Sequence, residues 1–490
     1  MRNLRRAGRL LLQATLAALV AGSISLAQQQ ERQSATDELN RYCQLPQAAI
    51  ERKSKLRQAA FAGNDQDRAR YQELVAKHAQ RLERCRSQHW PQTQAIWLRL
   101  YPCDARPGKL EQVLDRIASR GYNQVHLETF YSGQVLLPAS DNPTVWPSAV
   151  SHPDYADADL LARAIEQGHK RGLEVHAWLY SMNFGYAYTQ ADGSDRAILR
   201  NGRGKTSLAT EGDSKVFIDP YSDRARQQYR QLVEAVLERQ PDGVLFDYIR
   251  YPYGSGSNSL ANNVKDLWIY SEASQQTLIR RTLNAKGRWL LERYLEQGRL
   301  TQQNVETLRD MPPQDEAPRW QGYRSAETGV SRAQLQRQLW RLSVAHAAQG
   351  VVDFLQAAGQ PVLERDIPAG AVFFPKANRT VGKNGFDSRL QPWDSFPGTL
   401  DWHAMSYGIC GTPGCIVDQA QRAVQFAPEG TQVIPALAGR WGQSTQKRPS
   451  LERQMQALQY QLEQLSALSH FAFSWQYPQR DRERKSCQLP

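Results

Sequence analysis

The sequence predicts an α/β protein: a (β/α)8 TIM-type barrel that follows an N-terminal helical hairpin and carries a helical insertion after strand four. Short apolar runs alternate with helical stretches after residue 91, and this alternation is typical of parallel strands joined by crossover helices. Eight such units over roughly 390 residues fit a closed barrel with insertions. An open doubly wound sheet would need a glycine-rich phosphate loop after its first strand, and Pro102–Gly108 does not supply one.

The predicted strands are apolar runs bounded by turn residues. They are Ala95–Tyr101, Gln124–Phe130, Glu174–Tyr180, Gly243–Ile249, Ala371–Phe374, Leu400–Tyr407, Gln432–Leu437 and Phe471–Trp475. The helices predicted between them include Lys109–Arg120, Leu160–Arg171, Asp223–Arg239 and Leu451–Leu468. The stretch from about 253 to 360 exceeds one crossover helix, and its apolar residues predict extra helices packed on the side of the barrel.

The composition is that of a globular protein with a large core. The chain has 490 residues, of which 41% are hydrophobic and 22% charged, which excludes collagen, low-complexity and wholly disordered proteins. The formal net charge is +12, and four of these charges lie on arginines within the first nine residues. The remaining excess suits an acidic polymer, but its dispersion favours an ordinary soluble surface and argues against nucleic-acid binding.

Residues 1–27 have the features of a secretory signal peptide. Arg2–Arg9 is basic, Leu10–Val20 is apolar, and Ser25–Ala27 places small residues before a cleavage site. The apolar stretch is too short for a stable membrane anchor, and no later window approaches twenty apolar residues. We therefore expect an exported protein, periplasmic or extracellular, without a membrane anchor after signal cleavage.

Residues 28–91 are predicted to contain a helical hairpin, ahead of a barrel over 92–490. Between residues 37 and 89 apolar side chains recur at helical spacing, and Gly63–Asp65 interrupts the pattern as a turn. Cys43 lies 21 residues before Asn64 and Cys85 lies 21 residues after it. These two cysteines face each other in an antiparallel hairpin, so a disulfide between them is expected to hold its open end together.

The other cysteines complete an even set of six, which suits a disulfide-bonded exported protein. Cys410 and Cys415 flank a short Gly/Pro loop that a local bridge fits, and this leaves Cys103 to pair with Cys487. A metal site is the competing interpretation, but no histidines are spaced to join the cysteines, so no metal ligands are predicted.

Functional groups of a barrel of this type lie at the carboxyl ends of its strands. Glu128 and Asp247 occupy such positions in strands two and four, and Asp104 follows strand one. A pair of carboxylates at one rim is what hydrolysis of a glycosidic bond requires. A structural ion pair of Asp247 with Arg250 is the alternative interpretation. The other rim candidates could bind or stack on a sugar, although single aromatic residues more often pack than bind: His176, Trp178, Tyr180, Tyr407, Trp441 and Trp475.

Two segments resemble the family-10-like glycosyl hydrolases, which are exported bacterial barrel proteins. His169–Trp178 (HKRGLEVHAW) is similar to a conserved segment of that family, and Asp242–Pro252 (DGVLFDYIRYP) is similar to its fourth strand. Gly121–Asn123 and Asp401–Tyr407 extend the resemblance to roughly residues 92–480. The family's second strand-four carboxylate is Tyr248 in this chain.

The resemblance implies a (β/α)8 barrel that acts on cell-wall or matrix glycans outside the cytoplasm, with Asp247 as the strand-four catalytic carboxylate. We predict a glycoside hydrolase in which Asp247 is nucleophile or general acid, Glu128 its partner and Asp104 the reserve. His176, Tyr180, Arg250 and Tyr407 would position the sugar, and Trp178, Trp441 and Trp475 would stack on it. No cofactor is expected. The alternative hypotheses are a glycan-binding barrel without catalysis and a scaffold whose hairpin recruits a protein partner.

Overall fold

Eight parallel strands close into a barrel in the computed structural model, which describes residues 41–210, 215–323, 331–382 and 385–487. The strands are β1 (Thr93–Leu98), β2 (Gln124–Tyr131), β3 (Glu174–Tyr180), β4 (Gly243–Asp247), β5 (Ala369–Phe373), β6 (Asp401–Ser406), β7 (Ala436–Ala438) and β8 (Ala467–Phe471). Each strand pairs with its sequence neighbours, and β1 closes the barrel by pairing with both β2 and β8. The predicted fold class is confirmed. The predicted signal peptide lies outside the described residues.

The eighth strand begins and ends four residues earlier in the chain than the sequence predicts. The prediction was Phe471–Trp475, but β8 is Ala467–Phe471, and Phe473–Gln476 forms a short helix, labelled α12 below. The predicted helix Leu451–Leu468 ends at Gln461 instead. Leu462 and Leu465 continue the helical spacing of apolar residues, so periodicity alone could not show that the chain turns there to enter the barrel.

Helices surround the barrel and cover its outer face. Those between strands are α3 (Lys109–Ser119), α4 (Leu160–His169), α5 (Asp223–Leu237), α10 (Gly414–Phe426) and α11 (Leu451–Gln461). In α3 the side chains of Leu110, Leu114 and Ile117 recur at three- and four-residue steps and are fully buried. This helix begins after Gly108, whose φ of +75° favours a residue without a Cβ atom.

The described residues of the connection from β4 to β5 form four α-helices. They are α6 (Glu272–Arg280), α7 (Ala285–Gln297), α8 (Gln302–Asp310) and α9 (Arg332–Leu363). The long helix α9 packs against α5 and β5, so it is the crossover helix, while the three shorter helices form the insertion that the sequence predicts. Within the described parts of the chain, no helix combines the length and apolar composition needed to cross a membrane.

The N-terminal hairpin consists of α1 (Gln47–Phe61) and α2 (Asp65–Arg86). Asn64 caps α2 by accepting a hydrogen bond from the backbone N–H of Asp67. The disulfide Cys43–Cys85 joins the open end of the hairpin, with 5.7 Å between the Cα atoms. Both other predicted disulfides, Cys103–Cys487 and Cys410–Cys415, are also present.

A buried ionic cluster attaches the hairpin to the barrel. The carboxylate of Asp115 in α3 accepts hydrogen bonds from Arg57 and Arg171 at 3.0 Å and from the hydroxyl of Tyr71 at 2.9 Å. Lys53 is 3.9 Å away, and burial lowers the pKa of its ammonium group to about 8. One carboxylate therefore binds cationic side chains that come from the hairpin and from the barrel.

Candidate active site at the barrel mouth

The carboxyl ends of β2, β3 and β4 bring the two predicted carboxylates to one end of the barrel. Glu128 lies opposite Trp178 in the β2–β3 register, and Tyr180 lies opposite Asp247 in the β3–β4 register. Successive residues of a strand face opposite sides, so Trp178 and Tyr180 share one face. Hydrogen bonds from that face reach Glu128 on one side and Asp247 on the other.

Asp247 is a buried carboxyl group with few partners. Its oxygens accept hydrogen bonds from the indole N–H of Trp178 at 3.2 Å and from the backbone N–H of Tyr248 at 2.6 Å. Burial raises the pKa of Asp247 to about 6, and the negative charge of Glu128 acts in the same direction, while Arg250 acts against it. Asp247 is therefore protonated under mildly acidic conditions, as a general acid must be.

Tyr248 has a backbone conformation that is rare for a residue with a side chain. Its φ is +54°, and such strained positions cluster at functional sites. This conformation directs the N–H group of Tyr248 toward the Asp247 carboxylate and packs its ring 4.3 Å from the ring of Tyr180. The guanidinium of Arg250 lies 4.7 Å from the Tyr248 ring. Arg250 thus contributes positive charge beside Asp247 without a direct ion pair between them.

Glu128 is held by charge as well as by hydrogen bonds. Its carboxylate forms a two-pronged ion pair with Arg99 and accepts a hydrogen bond from the Tyr180 hydroxyl at 2.7 Å. Burial lowers the pKa of Arg99, but the hydrogen bonds and the charge of Glu128 more than offset this, so the pKa is raised overall. Burial and the charge of Glu128 also raise the pKa of Tyr180.

A cavity of about 230 Å³ opens beside these groups. Besides Arg99, Glu128, Trp178 and Tyr180, its walls include Trp97, Tyr101, Phe471, Ser474, Trp475 and Asp481. The ring of Tyr407 packs 5.3 Å from that of Phe471, and burial together with the charge of Asp247 raises the pKa of its hydroxyl. Of the predicted residues, the structure therefore brings together Glu128, Trp178, Tyr180, Asp247, Arg250, Tyr407 and Trp475.

The structure places His176 away from the barrel mouth. His176 pairs with Gly243, four residues before Asp247 along β4, and its ring lies 3.0 Å from the side-chain nitrogen of Gln124. It shares a strand face with Trp178 and Tyr180, as predicted. Because a strand rises about 3.3 Å per residue, however, His176 lies about 13 Å below Tyr180, toward the amino ends of the strands.

Asp104 does not take part in the candidate site. Its carboxylate is buried and accepts hydrogen bonds from the backbone N–H of Tyr101 at 2.8 Å and from two guanidinium nitrogens of Arg484 at 3.0 and 2.7 Å. Arg484 lies in the last helix, α13 (Pro478–Ser486), so the role of Asp104 is to join the chain end to the loop after β1. This ion pair gives Asp104 a structural role and does not favour the reserve catalytic role predicted for it.

Trp441 also lies away from the barrel mouth. Its indole N–H donates to the hydroxyl of Tyr122 at 3.0 Å, and its ring packs against Tyr42 and His470. His470 alternates in β8 with Ser469 and Phe471, which face Trp97 inside the barrel, so His470 and Trp441 belong to its outer side. Trp441 is therefore no stacking platform at the mouth.

Sequence reasoning missed three residues of the site, namely Arg99, Tyr248 and Asp481. Arg99 directly follows the last residue of β1, so the rule that selected Glu128 by its position near a strand end also applies to it. The sequence marked Tyr248 only as the residue that replaces the family's second strand-four carboxylate, and its positive φ could not be foreseen because tyrosine rarely adopts one. Asp481 comes from α13, which reaches the mouth only through tertiary packing.

Possible metal ligands cluster at one place among the described residues, and that place is remote from the mouth. Cys43, Cys85 and His89 lie close together, but the two cysteines form a disulfide and offer no thiolate. The carboxylates of the mouth do not form such a cluster in the described parts of the chain.

Comparison with known proteins supports the resemblance. Residues 85–317 match the family model described as Glycosyl hydrolase-like 10, a segment that includes β1 to β4 and both candidate carboxylates. A search of curated protein sequences found no significant match.

Several solved structures are similar to this one. The PgaB (BpsB) glycoside hydrolase domain from Bordetella bronchiseptica shares 15% identity, with 81% of this chain and 99% of that chain covered and a TM-score of 0.44. A GH18 chitinase from Pseudoalteromonas aurantia shares 11% identity, over 80% and 99% of the two chains, with a TM-score of 0.37. A GH20 β-N-acetylhexosaminidase from Streptomyces coelicolor A3(2) shares 8% identity, over 78% and 59%, with a TM-score of 0.36. The match of residues 85–317 to the Glycosyl hydrolase-like 10 model confirms the family resemblance that the sequence indicates.

Proposed function

We propose that this protein is an exported glycoside hydrolase that acts on a cell-wall or extracellular polysaccharide. One observation carries the proposal: two carboxyl groups at the same barrel mouth have different environments. Glu128 is ion-paired with Arg99, whereas Asp247 is buried and has a raised pKa of about 6. Glycosidases divide the acid role and the charge-stabilising or nucleophilic role between two such carboxyl groups.

In this proposal Asp247 is the general acid. Its proton passes to the glycosidic oxygen as the bond to the leaving sugar breaks, and the resulting carboxylate is stabilised by the N–H groups of Trp178 and Tyr248. The Glu128 carboxylate, held by Arg99 and Tyr180, stabilises the developing oxocarbenium ion. Water then adds to the anomeric carbon and its proton returns to the Asp247 carboxylate, which completes hydrolysis and restores the acid.

Aromatic residues of the mouth would hold the sugar. Trp475 and Tyr101 line the cavity and are half-buried, so each ring keeps an accessible face. Flat rings of this kind stack on the apolar face of a pyranose, while Asp481 and Ser474 offer oxygens to its hydroxyl groups.

Export is supported by the cysteines. All six form disulfides, and disulfides persist in oxidising compartments such as the periplasm and the extracellular space. The signal-like features of residues 1–27 agree with this location.

The test is release of reducing ends from purified glycans, including peptidoglycan strands and acidic exopolysaccharides, by the wild type and Asp247→Asn. Asp219→Asn is a matched control, because Asp219 is also buried, also has a pKa raised to about 6, and also accepts two N–H hydrogen bonds, but is not part of the mouth. We expect cleavage of one glycan that Asp247→Asn abolishes and Asp219→Asn retains, with folding checked by circular dichroism. Cleavage that survives Asp247→Asn would contradict the proposal.

A glycan-binding barrel without catalysis is the second candidate function. Its support is that Arg99 and Tyr180 already occupy the oxygens of Glu128, which restricts this carboxylate as a nucleophile. Binding of one glycan by the wild type without any release of reducing ends would favour this function over hydrolysis.

A further inference from the structure

A second cavity, of about 460 Å³, lies on the outer side of the barrel wall. Its volume falls in the range of ordinary ligand pockets. Five separate parts of the chain line it: the segment before α1, the end of α3, the loop after β7, the first turn of α11 and the junction of α12 and α13. Three aromatic residues, Tyr42, Trp441 and Tyr477, contribute to the walls.

Trp441 is held rigidly in this cavity. The hydrogen bond from its indole N–H to Tyr122 fixes the plane of the ring, and Tyr42 and His470 support the ring at centroid distances of 5.2 and 5.3 Å. The side chain nevertheless remains half-buried rather than buried. A fixed, partly accessible indole beside a cavity provides a stacking surface with little conformational entropy to lose on binding.

Polar groups with hydrogen-bonding capacity surround this ring. Oε1 of Glu452 accepts the backbone N–H of Gly442 at 2.7 Å, but its Oε2 is buried without a hydrogen-bond partner in the described part of the protein. Buried polar atoms are normally satisfied, so this oxygen calls for a donor. Arg440 donates to the amide oxygen of Gln443 at 3.2 Å, so the amide N–H groups of Gln443 can still donate to a ligand.

We propose that this cavity is a second glycan-binding site. A sugar ring stacks on Trp441, one of its hydroxyl groups donates to Oε2 of Glu452, and Gln443 and Arg440 bind further hydroxyl groups or an acidic substituent. This combination of one aromatic surface and several directional polar groups is the chemistry that recognises a pyranose.

The position of the cavity relates it to the barrel mouth. Ser474 and Trp475 line the mouth cavity, and the next two residues, Gln476 and Tyr477, line the outer cavity. A polysaccharide held at the outer cavity is thus kept near the mouth, which raises its effective concentration there. This role in retention rests on the proposed hydrolase function, whereas binding at the outer cavity does not.

The experiment is affinity electrophoresis in gels that contain one purified glycan each, either soluble peptidoglycan strands or an acidic exopolysaccharide. The Asp247→Asn protein is used throughout, so that cleavage does not remove the glycan. We expect Trp441→Ala in this background to weaken the affinity measured from the retardation about tenfold, equivalent to ~1.4 kcal/mol of binding free energy. Gln443 is exposed, so Gln443→Ala leaves the fold intact, and we expect it to weaken binding about threefold, or ~0.65 kcal/mol.

Matched controls separate binding from general damage. Trp289→Ala removes another half-buried indole, in α7, and Gln446→Ala removes another exposed amide. Neither is expected to change retardation. If both Trp441→Ala and Gln443→Ala bind within twofold of their background, or if no glycan of the panel retards the protein, the proposal is wrong. Reducing-end release by the wild type in that case would leave the hydrolase proposal standing.

Discussion

The indole N–H of Trp178 lies 3.2 Å from Oδ2 of Asp247, although the two residues are not directly opposite in the sheet. Trp178 pairs with Leu245, so its side chain reaches one pleat further along β4 to meet the carboxylate. This contact stabilises the charged form of a carboxyl group whose burial favours the neutral form. The protonation of Asp247 therefore depends on the neighbouring strand.

The first prediction concerns the pH dependence of glycan cleavage. Because the pKa of Asp247 is raised to about 6, its acid form is present below that pH and is lost as the pH rises through it. We expect kcat/KM to fall above pH ~6, since a general acid must be protonated to act. A profile that rises through pH 6 would show that Asp247 acts as the ionised nucleophile instead.

The second prediction is that Trp178→Phe moves the fall in kcat/KM to higher pH. The substitution keeps an aromatic ring but removes the N–H donor that lowers the pKa of Asp247, so we expect this pKa to rise. The measurement is the pH profile of kcat/KM on the cleaved glycan. Trp475→Phe is the control, because Trp475 lines the same cavity, whereas the indole that donates to Asp247 is that of Trp178. If kcat/KM of Trp178→Phe falls at the same pH as that of the wild type, the assignment of Asp247 as the general acid is contradicted.

The third prediction is that Glu128→Gln moves the fall in kcat/KM to lower pH and lowers kcat. Loss of the negative charge of Glu128 removes one of the influences that raise the pKa of Asp247. This pKa therefore decreases, and the fall in kcat/KM moves to lower pH. We also expect kcat to fall by about 10²–10³, the usual loss when one electrostatic stabiliser of the transition state is removed. Glu174→Gln is the control, since Glu174 contacts Gln124 at the start of β3. A fully active Glu128→Gln would exclude Glu128 as the partner.

The fourth prediction tests the attachment of the hairpin to the barrel. Asp115→Asn leaves Lys53, Arg57 and Arg171 buried without their carboxylate, so we expect a loss of about 3–5 kcal/mol in the free energy of unfolding. Urea denaturation monitored by circular dichroism measures it. Glu166→Gln breaks only the exposed pair with Lys170 and should cost less than about 1 kcal/mol. Equal losses in both variants would show that the cluster does not stabilise the fold.

Local patterns were sufficient where neighbouring residues set the structure. The turn Gly63–Asp65 and equal spacing on both sides placed Cys43 against Cys85, and the disulfide is present. Strand β8 shows where such patterns fail. Leu458, Leu462 and Leu465 keep helical spacing, yet all three are buried by different contacts, and the chain leaves the helix at Leu462 because β8 must pair with β1. Pairing between segments more than 300 residues apart is not encoded in local periodicity.

The sequence by itself determined the barrel class, the stapled hairpin and the arrival of Glu128 and Asp247 near strand ends at one mouth, because strand alternation and strand ends are local properties of the chain. Only the tertiary structure decided what each carboxyl group meets there. Asp104 and Arg484 are separated by 380 residues and form a structural ion pair, whereas Asp247 stays buried with a raised pKa. The physical reason is that burial and charge partners, which set the chemistry of a carboxyl group, come from segments that meet only when the chain folds.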